Sequence, residues 1–218
     1  MLVREGWEVT VLTVFTRSVP NPTGFALACQ LDKGLPPEAD YMAIRRAEDV
    51  EACARLGARP LWLDFPEAPH RGYESAPALF GPARPEDEII GPLARALARA
   101  FDPTPGLILA PQAVGGHVDH VQLVHALRDV APPGVPILWW TDFPYAARAH
   151  THPARPFARE LERLPEREIT GDAAVRLHAC AAYATQLGFQ FGGEDGLRHA
   201  LDDAGAVERF RAQGRIPA

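Results

Sequence analysis

Two histidines and an aspartate fall within four positions of the segment AVGGHVDHVQLVHAL, residues 113–127. His117 and His120 are three residues apart, so their side chains share a face if both lie in the first turn of a helix. A neutral imidazole can ligate zinc, and a second one beside a metal-bound water can act as an electrophile or a general acid. Asp119 can orient a neighbouring imidazole. The pattern indicates a candidate metal ligand with a second imidazole beside it. The alternative is a set of solvated or packing side chains at a helix start.

The other histidines are weaker candidates for metal ligands. His125 falls on a later turn of the same segment, which favours an exposed position on the helix. His150 and His152 form an H-x-H pair that could bind a metal in a strand. The flanking arginines and proline favour a solvated loop instead.

The elements that must position these side chains alternate between strand and helix. VTVLTVF, RPLWLDF, GLILAP and VPILWW predict strands, and YMAIRRAEDVEACARLGA, EDEIIGPLARALARAF and HVDHVQLVHALRDV predict the helices between them. This order predicts an α/β, Rossmann-like fold with a mainly parallel sheet and helices on both faces, in a single domain spanning residues 1–218. His117 and His120 then follow the carboxyl end of a strand, where open α/β sheets bind ligands.

The remaining segments complete the predicted architecture. Residues 16–40 and 66–85 are rich in proline and glycine and predict loops. DAAVRLHACAAYATQL predicts one helix, and GAVERFRAQG predicts a last short one. On the helix of residues 41–58, the apolar side chains expected on one side are Ile44, Ala47, Val50, Ala54 and Leu56.

Composition excludes several classes of protein. Apolar residues make up 47% and charged residues 23%, enough for a packed core, and the net charge of −6 gives no general attraction for nucleic acid or anionic membranes. No apolar run reaches the ~20 residues that span a bilayer. The three cysteines form no C-x-x-C pair. We therefore expect a cytoplasmic protein in a reducing compartment.

Segments along nearly the whole chain resemble the PIG-L or LmbE-like deacetylases. EGWEVTVLTVF is similar to the family's second strand, Arg45 and Glu48 match its R-x-x-E helix, and GGHVDHVQLVHAL matches its H-x-D-H motif. YATQL is similar to its Y-x-S-Q motif, with Thr185 in place of serine, and ERF to a common ending. The order of these motifs is the family's order.

The resemblance implies zinc-dependent hydrolysis of an N-acetyl group from an amino sugar or its conjugate. His120 would ligate the zinc or another divalent metal, and His117 would stabilise the oxyanion or protonate the leaving amine. Asp119 would hold His117 in its working tautomer. Arg45 would contact substrate hydroxyls or a phosphate. The alternative for Arg45 is a salt bridge to a neighbouring carboxylate.

The segment WWTDFPYA supplies further candidates for the substrate cleft. We expect Asp142 and Tyr145 to face the substrate. Aromatic rings can stack on a sugar, but Trp139 and Trp140 are expected to pack on the sheet.

The family's A-H-P-D-D motif, which supplies two zinc ligands and the general base, has no counterpart in the sequence. LVREG resembles the end of a helix stopped by Gly6, so we expect the family's first strand and this motif to precede Met1 in a longer, active protein. The 218 residues alone would then lack bound metal. Loss of the base would cost about 10²- to 10⁴-fold in rate. The exposed flank of VTVLTVF would favour association into a homo-oligomer.

Two other hypotheses remain open. The chain could be a non-catalytic relative that binds a sugar or a protein partner through an incomplete metal site. It could also be a different metal-dependent hydrolase, in which Asp64, His70 or the His150/His152 pair completes the ligand set.

Overall fold

The computed structural model describes residues 1–147 and 154–217. The chain forms two compact units. The first unit contains residues 1–75 and 170–206, and the second contains residues 76–169 and 207–218. The protein is of the predicted α/β class. No helix in the described ranges is long and apolar enough to cross a membrane.

Helices and strands alternate along most of the chain. The helices are α1 (Gly24–Leu31), α2 (Tyr41–Leu56), α3 (Ala76–Leu79), α4 (Ile90–Ala100), α5 (Val118–Val130), α6 (Ala158–Leu161), α7 (Ala173–Cys180), α8 (Ala184–Phe191) and α9 (Glu194–Ala204). The strands are β1 (Thr10–Thr13), β2 (Arg59–Trp62), β3 (Ile108–Pro111), β4 (Ile137–Trp140), β5 (Glu166–Thr170) and β6 (Val207–Gln213). Short 3₁₀ turns cover Leu2–Glu5, Ala68–Arg71 and Tyr145–Ala147.

The first unit contains a parallel pair of strands, β1 and β2, with Thr10 opposite Arg59. The predicted helix between them is present as α2. Asp40 caps its N-terminus by accepting a hydrogen bond from the backbone N–H of Ala43 at 2.9 Å. Gly57 ends it in the left-handed conformation, with φ of 68°.

The prediction of an unstructured loop over residues 16–40 is wrong, because this segment contains α1. Its prolines lie on either side of the helix, with Pro20 and Pro22 before Gly24 and Pro36 and Pro37 after Leu31. Proline interrupts a helix only from an interior position.

The predicted apolar side of α2 is also wrong. Val50 is 48% exposed and Leu56 39% exposed, whereas the buried positions include the acidic Glu48 and Asp49. A carboxylate can be buried when hydrogen bonds satisfy its oxygens. Apart from Arg45, one helical turn before Glu48, the partners that do so lie more than 10 residues away along the chain, so the helical pattern alone could not reveal them.

The helix predicted over residues 172–187 is divided into α7 and α8. Asp172 caps α7 by accepting from the backbone N–H of Val175 at 3.1 Å. The chain leaves the helix after Cys180 and starts α8 at Ala184. The side chain of Tyr183, at the break, donates a hydrogen bond to Asp49.

The second unit contains a four-stranded sheet in the order β3-β4-β6-β5. β3 and β4 are parallel, whereas β4 and β6 are antiparallel. The prediction of a mainly parallel sheet is therefore correct only in part.

The antiparallel strand β6 replaces the last helix that we predicted from GAVERFRAQG, so that prediction is wrong. Phe210 and Ala212 are buried and pack with Leu138 in the core of this sheet. They alternate with charged residues at positions 209 and 211, which is the two-residue period of a strand.

Candidate functional site

A turn with two glycines carries the chain from the carboxyl end of β3 into α5. Gly115 and Gly116 both adopt positive φ, at 98° and 73°, a conformation that glycine adopts without strain. His117 is the N-cap residue of α5, and its Nδ1 accepts a hydrogen bond from the backbone N–H of Asp119 at 3.3 Å. The predicted histidine segment therefore lies at a helix start that follows a strand.

His117 and His120 lie side by side at this helix start. Their ring centroids are 5.6 Å apart and the ring planes are tilted by 52°. Phe80 contacts His117 edge-on with a centroid separation of 5.3 Å, and Tyr145 contacts His120 edge-on at 5.8 Å. The side chain of His120 is 36% exposed. Solvent and small molecules can therefore reach this imidazole.

The buried carboxylate of Asp142 contacts the Nδ1 atom of His120. Asp142 Oδ1 lies 2.8 Å from His120 Nδ1, and the Asp142 side chain is only 1% exposed. The other oxygen, Oδ2, accepts a hydrogen bond from the backbone N–H of Val114 at 3.0 Å. Both oxygens of Asp142 are thus engaged within the protein, and its predicted contact with the substrate stays a prediction.

Tyr145 packs closely over the turn that precedes α5. A β-carbon at Gly115 would lie 2.9 Å from both Cβ and Cγ of Tyr145. Only glycine allows this approach without displacing the tyrosine. Tyr145 thus lies between the glycine turn and His120.

The structure describes Asp119 and the third histidine of this segment, but not the H-x-H pair. Asp119 is buried, and its predicted action on His117 through the carboxylate stays a prediction. His125 is exposed on α5 as predicted, with its ring edge-on to Phe157 at a centroid distance of 5.0 Å. His150 and His152 lie outside the described residues.

The described residues do not assemble a complete zinc site. Over residues 1–147 and 154–217, no group of three or more His, Cys, Asp or Glu side chains could hold a metal ion. A catalytic zinc takes about three protein ligands and a water. Asp64, one of the alternative ligands, is exposed and pairs with Arg17 at 3.2 Å. The structure therefore offers no support for completion of the ligand set by Asp64 or His70.

The R-x-x-E and Y-x-T-Q motifs meet within the first unit. Glu48 Oε1 accepts from the backbone N–H of Thr185 at 2.7 Å, and Oε2 accepts from the Thr185 hydroxyl at 2.9 Å. Asp49, the next residue of α2, accepts from the Tyr183 hydroxyl at 2.9 Å and from Trp62 Nε1 at 2.9 Å. Sequence reasoning missed Asp49 and Trp62, which belong to no motif that we recognised.

Arg45 takes part in the same network. Its Nη1 lies 3.4 Å from Glu48 Oε2, its guanidinium carbon lies 5.1 Å from the centroid of the Tyr183 ring, and its side chain is 25% exposed. The salt bridge that we weighed as an alternative is therefore present. A substrate contact for Arg45 stays a prediction.

The tyrosines of this network are buried enough to resist ionisation. Burial, followed by the charge of Asp49, raises the pKa of Tyr183 well above its ordinary value. Burial, followed by the charge of Glu67, does the same to the pKa of Tyr41, whose hydroxyl accepts from Gln186 Nε2 at 3.2 Å. Both phenols stay protonated over the physiological range.

A polar cavity of about 180 Å³ lies in the second unit, where β3 and β4 end. Its lining includes Gln112 and Thr141, the residues that directly follow those two strands, together with Arg209 and Arg211 of β6. His117 and His120 do not line this cavity. The histidines instead lie at the accessible start of α5.

The sequence is similar to a known protein family and to two named enzymes. The model of the GlcNAc-PI de-N-acetylase family, PIG-L, matches residues 1–131. The 2'-N-acetylparomamine deacetylase of Streptomyces fradiae is 33% identical over 201 residues, covering 88% of this chain and 68% of that protein. The enzyme of the same name from Niallia circulans is 30% identical over 213 residues, covering 88% and 75%.

A solved structure extends the comparison to the whole fold. The zinc-inhibited form of teicoplanin deacetylase Orf2 aligns with a TM-score of 0.73 at 20% identity, covering 100% of this chain and 91% of that one. At this identity the alignment shows a shared fold.

Proposed function

Because the chain belongs to the PIG-L family of de-N-acetylases, we propose that it removes the acetyl group from an N-acetylated amino sugar. The relatives named for 2'-N-acetylparomamine favour an aminoglycoside-like conjugate as the substrate. The reaction is hydrolysis of a carbon–nitrogen bond: water adds to the amide carbonyl, and acetate and a free amine leave.

The observation that carries this proposal is the pairing of His117 and His120 at the start of α5. With ring centroids 5.6 Å apart, the two imidazoles can contact one amide group from neighbouring positions. His117 would stabilise the oxyanion that forms on the carbonyl, or protonate the leaving amine. Tyr145, in contact with His120, would form one wall around the sugar.

Among the described residues, His120 is the one that we propose as a ligand of a divalent metal. Its Nδ1 is engaged by Asp142, which leaves Nε2 as the nitrogen for zinc or another divalent ion. The described residues supply no complete ligand set. We therefore assign the metal one ligand and no catalytic step.

A deacetylation assay with matched histidine variants tests the proposal. The purified protein is incubated with 2'-N-acetylparomamine in the presence of zinc, and the free amine and acetate are measured by mass spectrometry. Because the sequence has no counterpart of the motif that supplies the general base, we expect slow product formation from the wild type. The rate should be the same in His125→Ala, a control on the exposed face of the same helix. His117→Ala and His120→Ala should each lose most turnover. Equal rates in all four proteins would contradict the proposal.

A second candidate is a non-catalytic protein that binds the same class of sugar, since residues 1–147 and 154–217 do not by themselves supply a complete ligand set. Calorimetric titration of the N-acetylated sugar, combined with metal analysis, separates the two. Sugar binding without acetate release and without stoichiometric metal would support the binding protein. Acetate release that depends on His120 would support the enzyme.

A further inference from the structure

We infer that Asp142 is a positioning residue that fixes His120 with its proton on Nδ1 and its lone pair on Nε2. The role of that lone pair as a metal ligand rests on the proposed function. The placement of the proton does not, since it follows from the contacts of the carboxylate itself.

The hydrogen bond between the two side chains runs from the imidazole to the carboxylate. A carboxylate can only accept hydrogen bonds, whereas each nitrogen of a neutral imidazole is either a donor or an acceptor. Asp142 Oδ1 lies 2.8 Å from His120 Nδ1. The imidazole therefore donates from Nδ1. In the neutral ring, Nε2 then has no proton and keeps its lone pair.

Burial and a second hydrogen bond hold the carboxylate in place. Asp142 is almost fully buried, and its Oδ2 accepts the backbone N–H of Val114 at 3.0 Å. Turning the carboxylate away would leave that N–H and a buried charge without partners, so both groups would bear their desolvation penalty without a compensating hydrogen bond. The carboxylate is thus locked in its orientation.

The same carboxylate also binds the backbone of the turn that precedes His117. Val114 lies in the segment between β3 and α5, and Asp142 follows β4. One carboxylate therefore ties the His120 ring and the backbone before His117 to the end of β4. This arrangement fixes the position of the two imidazoles relative to each other.

Nuclear magnetic resonance of the imidazole nitrogens tests the inference without metal or substrate. Long-range ¹H–¹⁵N spectra are recorded on labelled, metal-free protein at about pH 8, where an ordinary imidazole is neutral. The His120 signals are assigned by their loss in His120→Gln. We expect a protonated Nδ1 and an unprotonated Nε2. The opposite tautomer in the wild type would overturn the inference.

Asp142→Asn gives a second, sharper outcome. The asparagine oxygen can keep the Val114 N–H, and its NH₂ group then donates to His120 Nδ1, so the proton moves to Nε2. A purely structural role for Asp142 would not predict this inversion. Asp129→Asn, an exposed change on α5, should keep the wild-type pattern. If Asp142→Asn fails to fold, the wild-type spectrum alone decides.

The NMR spectrum tests the positioning role of Asp142, and the deacetylation assay tests the proposed function, so either one can be rejected without the other. A protonated Nδ1 in a protein that releases no acetate would retain the positioning role and reject the proposed function. An Nε2-protonated tautomer in an active deacetylase would do the reverse. Where zinc binding is measurable, loss of the orienting carboxylate should weaken it about 10- to 100-fold.

Discussion

Glu48 accepts two hydrogen bonds from Thr185, one from the backbone N–H at 2.7 Å and one from the hydroxyl at 2.9 Å. The two residues are 137 positions apart in the chain. Their contact joins α2 to the start of α8, and it gives a structural reason for the R-x-x-E and Y-x-T-Q motifs. These residue types are needed because Glu48 is buried and its oxygens require donors.

Removal of the Thr185 hydroxyl should therefore destabilise the first unit. Thr185→Val keeps the shape of the side chain but removes the donor to Glu48 Oε2. We expect the free energy of unfolding to fall by about 1–3 kcal/mol, the usual cost of a buried group that loses its partner. Urea denaturation followed by circular dichroism measures this change.

Two variants serve as controls for that measurement. Thr185→Ser keeps both donors and should lie close to the wild type. Thr170→Val changes an exposed threonine and should shift stability by no more than about 0.5 kcal/mol. Equal stability of Thr185→Val and Thr170→Val would show that the Glu48–Thr185 contact contributes nothing.

Stability should also fall at alkaline pH because of the two buried tyrosines. The pKa values of Tyr41 and Tyr183 are raised in the folded protein, first by burial. Above the ordinary tyrosine pKa of about 10, the unfolded chain releases these protons while the folded chain retains them. The unfolded state then binds fewer protons, so the free energy of unfolding decreases as pH rises.

Urea midpoints measured between about pH 8 and pH 11 test this dependence. Tyr183→Phe removes one titrating group and should flatten the decrease. Thr170→Val retains both tyrosines and should follow the wild-type curve. An unchanged slope in Tyr183→Phe would contradict the expected linkage.

Local patterns predicted the helices and strands near the histidines correctly. The apolar runs that form β3 and β4 act over a few residues, so they can be recognised in the sequence. His117 and His120 lie side by side because the N-cap residue of α5 and its third helical residue are three positions apart. These features depend on short-range geometry alone.

The features that sequence reasoning missed depend on partners far along the chain. Glu48 is buried where Thr185 donates to both of its oxygens, and Asp49 is buried where Tyr183 and Trp62 donate to its oxygens. The pairing of Asp142 with His120 arises because β3 and β4 are neighbours in the sheet. The antiparallel position of β6 is likewise set by pairing, and not by the local pattern of its seven residues.

The core role of β6 leads to a third prediction. Phe210 lies opposite Trp140 in the strand pair and packs with Leu138. Phe210→Ala should lower the free energy of unfolding by about 3–5 kcal/mol, since it removes a buried aromatic side chain. Val207→Ala, at an exposed position of the same strand, is the matched control. Similar losses in the two variants would argue against a buried, central β6.

A final prediction concerns the close contact between Gly115 and Tyr145. Gly115→Ala introduces a β-carbon 2.9 Å from two Tyr145 atoms, at a φ of 98°. Gly134→Ala has a similarly positive φ of 80°, but its β-carbon meets nothing within 4 Å. Both variants carry the backbone strain of about 1–3 kcal/mol. Only Gly115→Ala should also displace Tyr145.

The comparison of the two variants isolates the effect of that displacement. In Gly115→Ala we expect a larger loss of stability and altered NMR shifts of the His120 ring, because Tyr145 contacts that ring edge-on. Turnover of the N-acetylated sugar should fall as well. Gly134→Ala should keep the wild-type His120 shifts and turnover. If a folded Gly115→Ala protein kept the wild-type NMR shifts of the His120 ring, the prediction would be wrong. The contact between Tyr145 and His120 would then not require glycine at position 115.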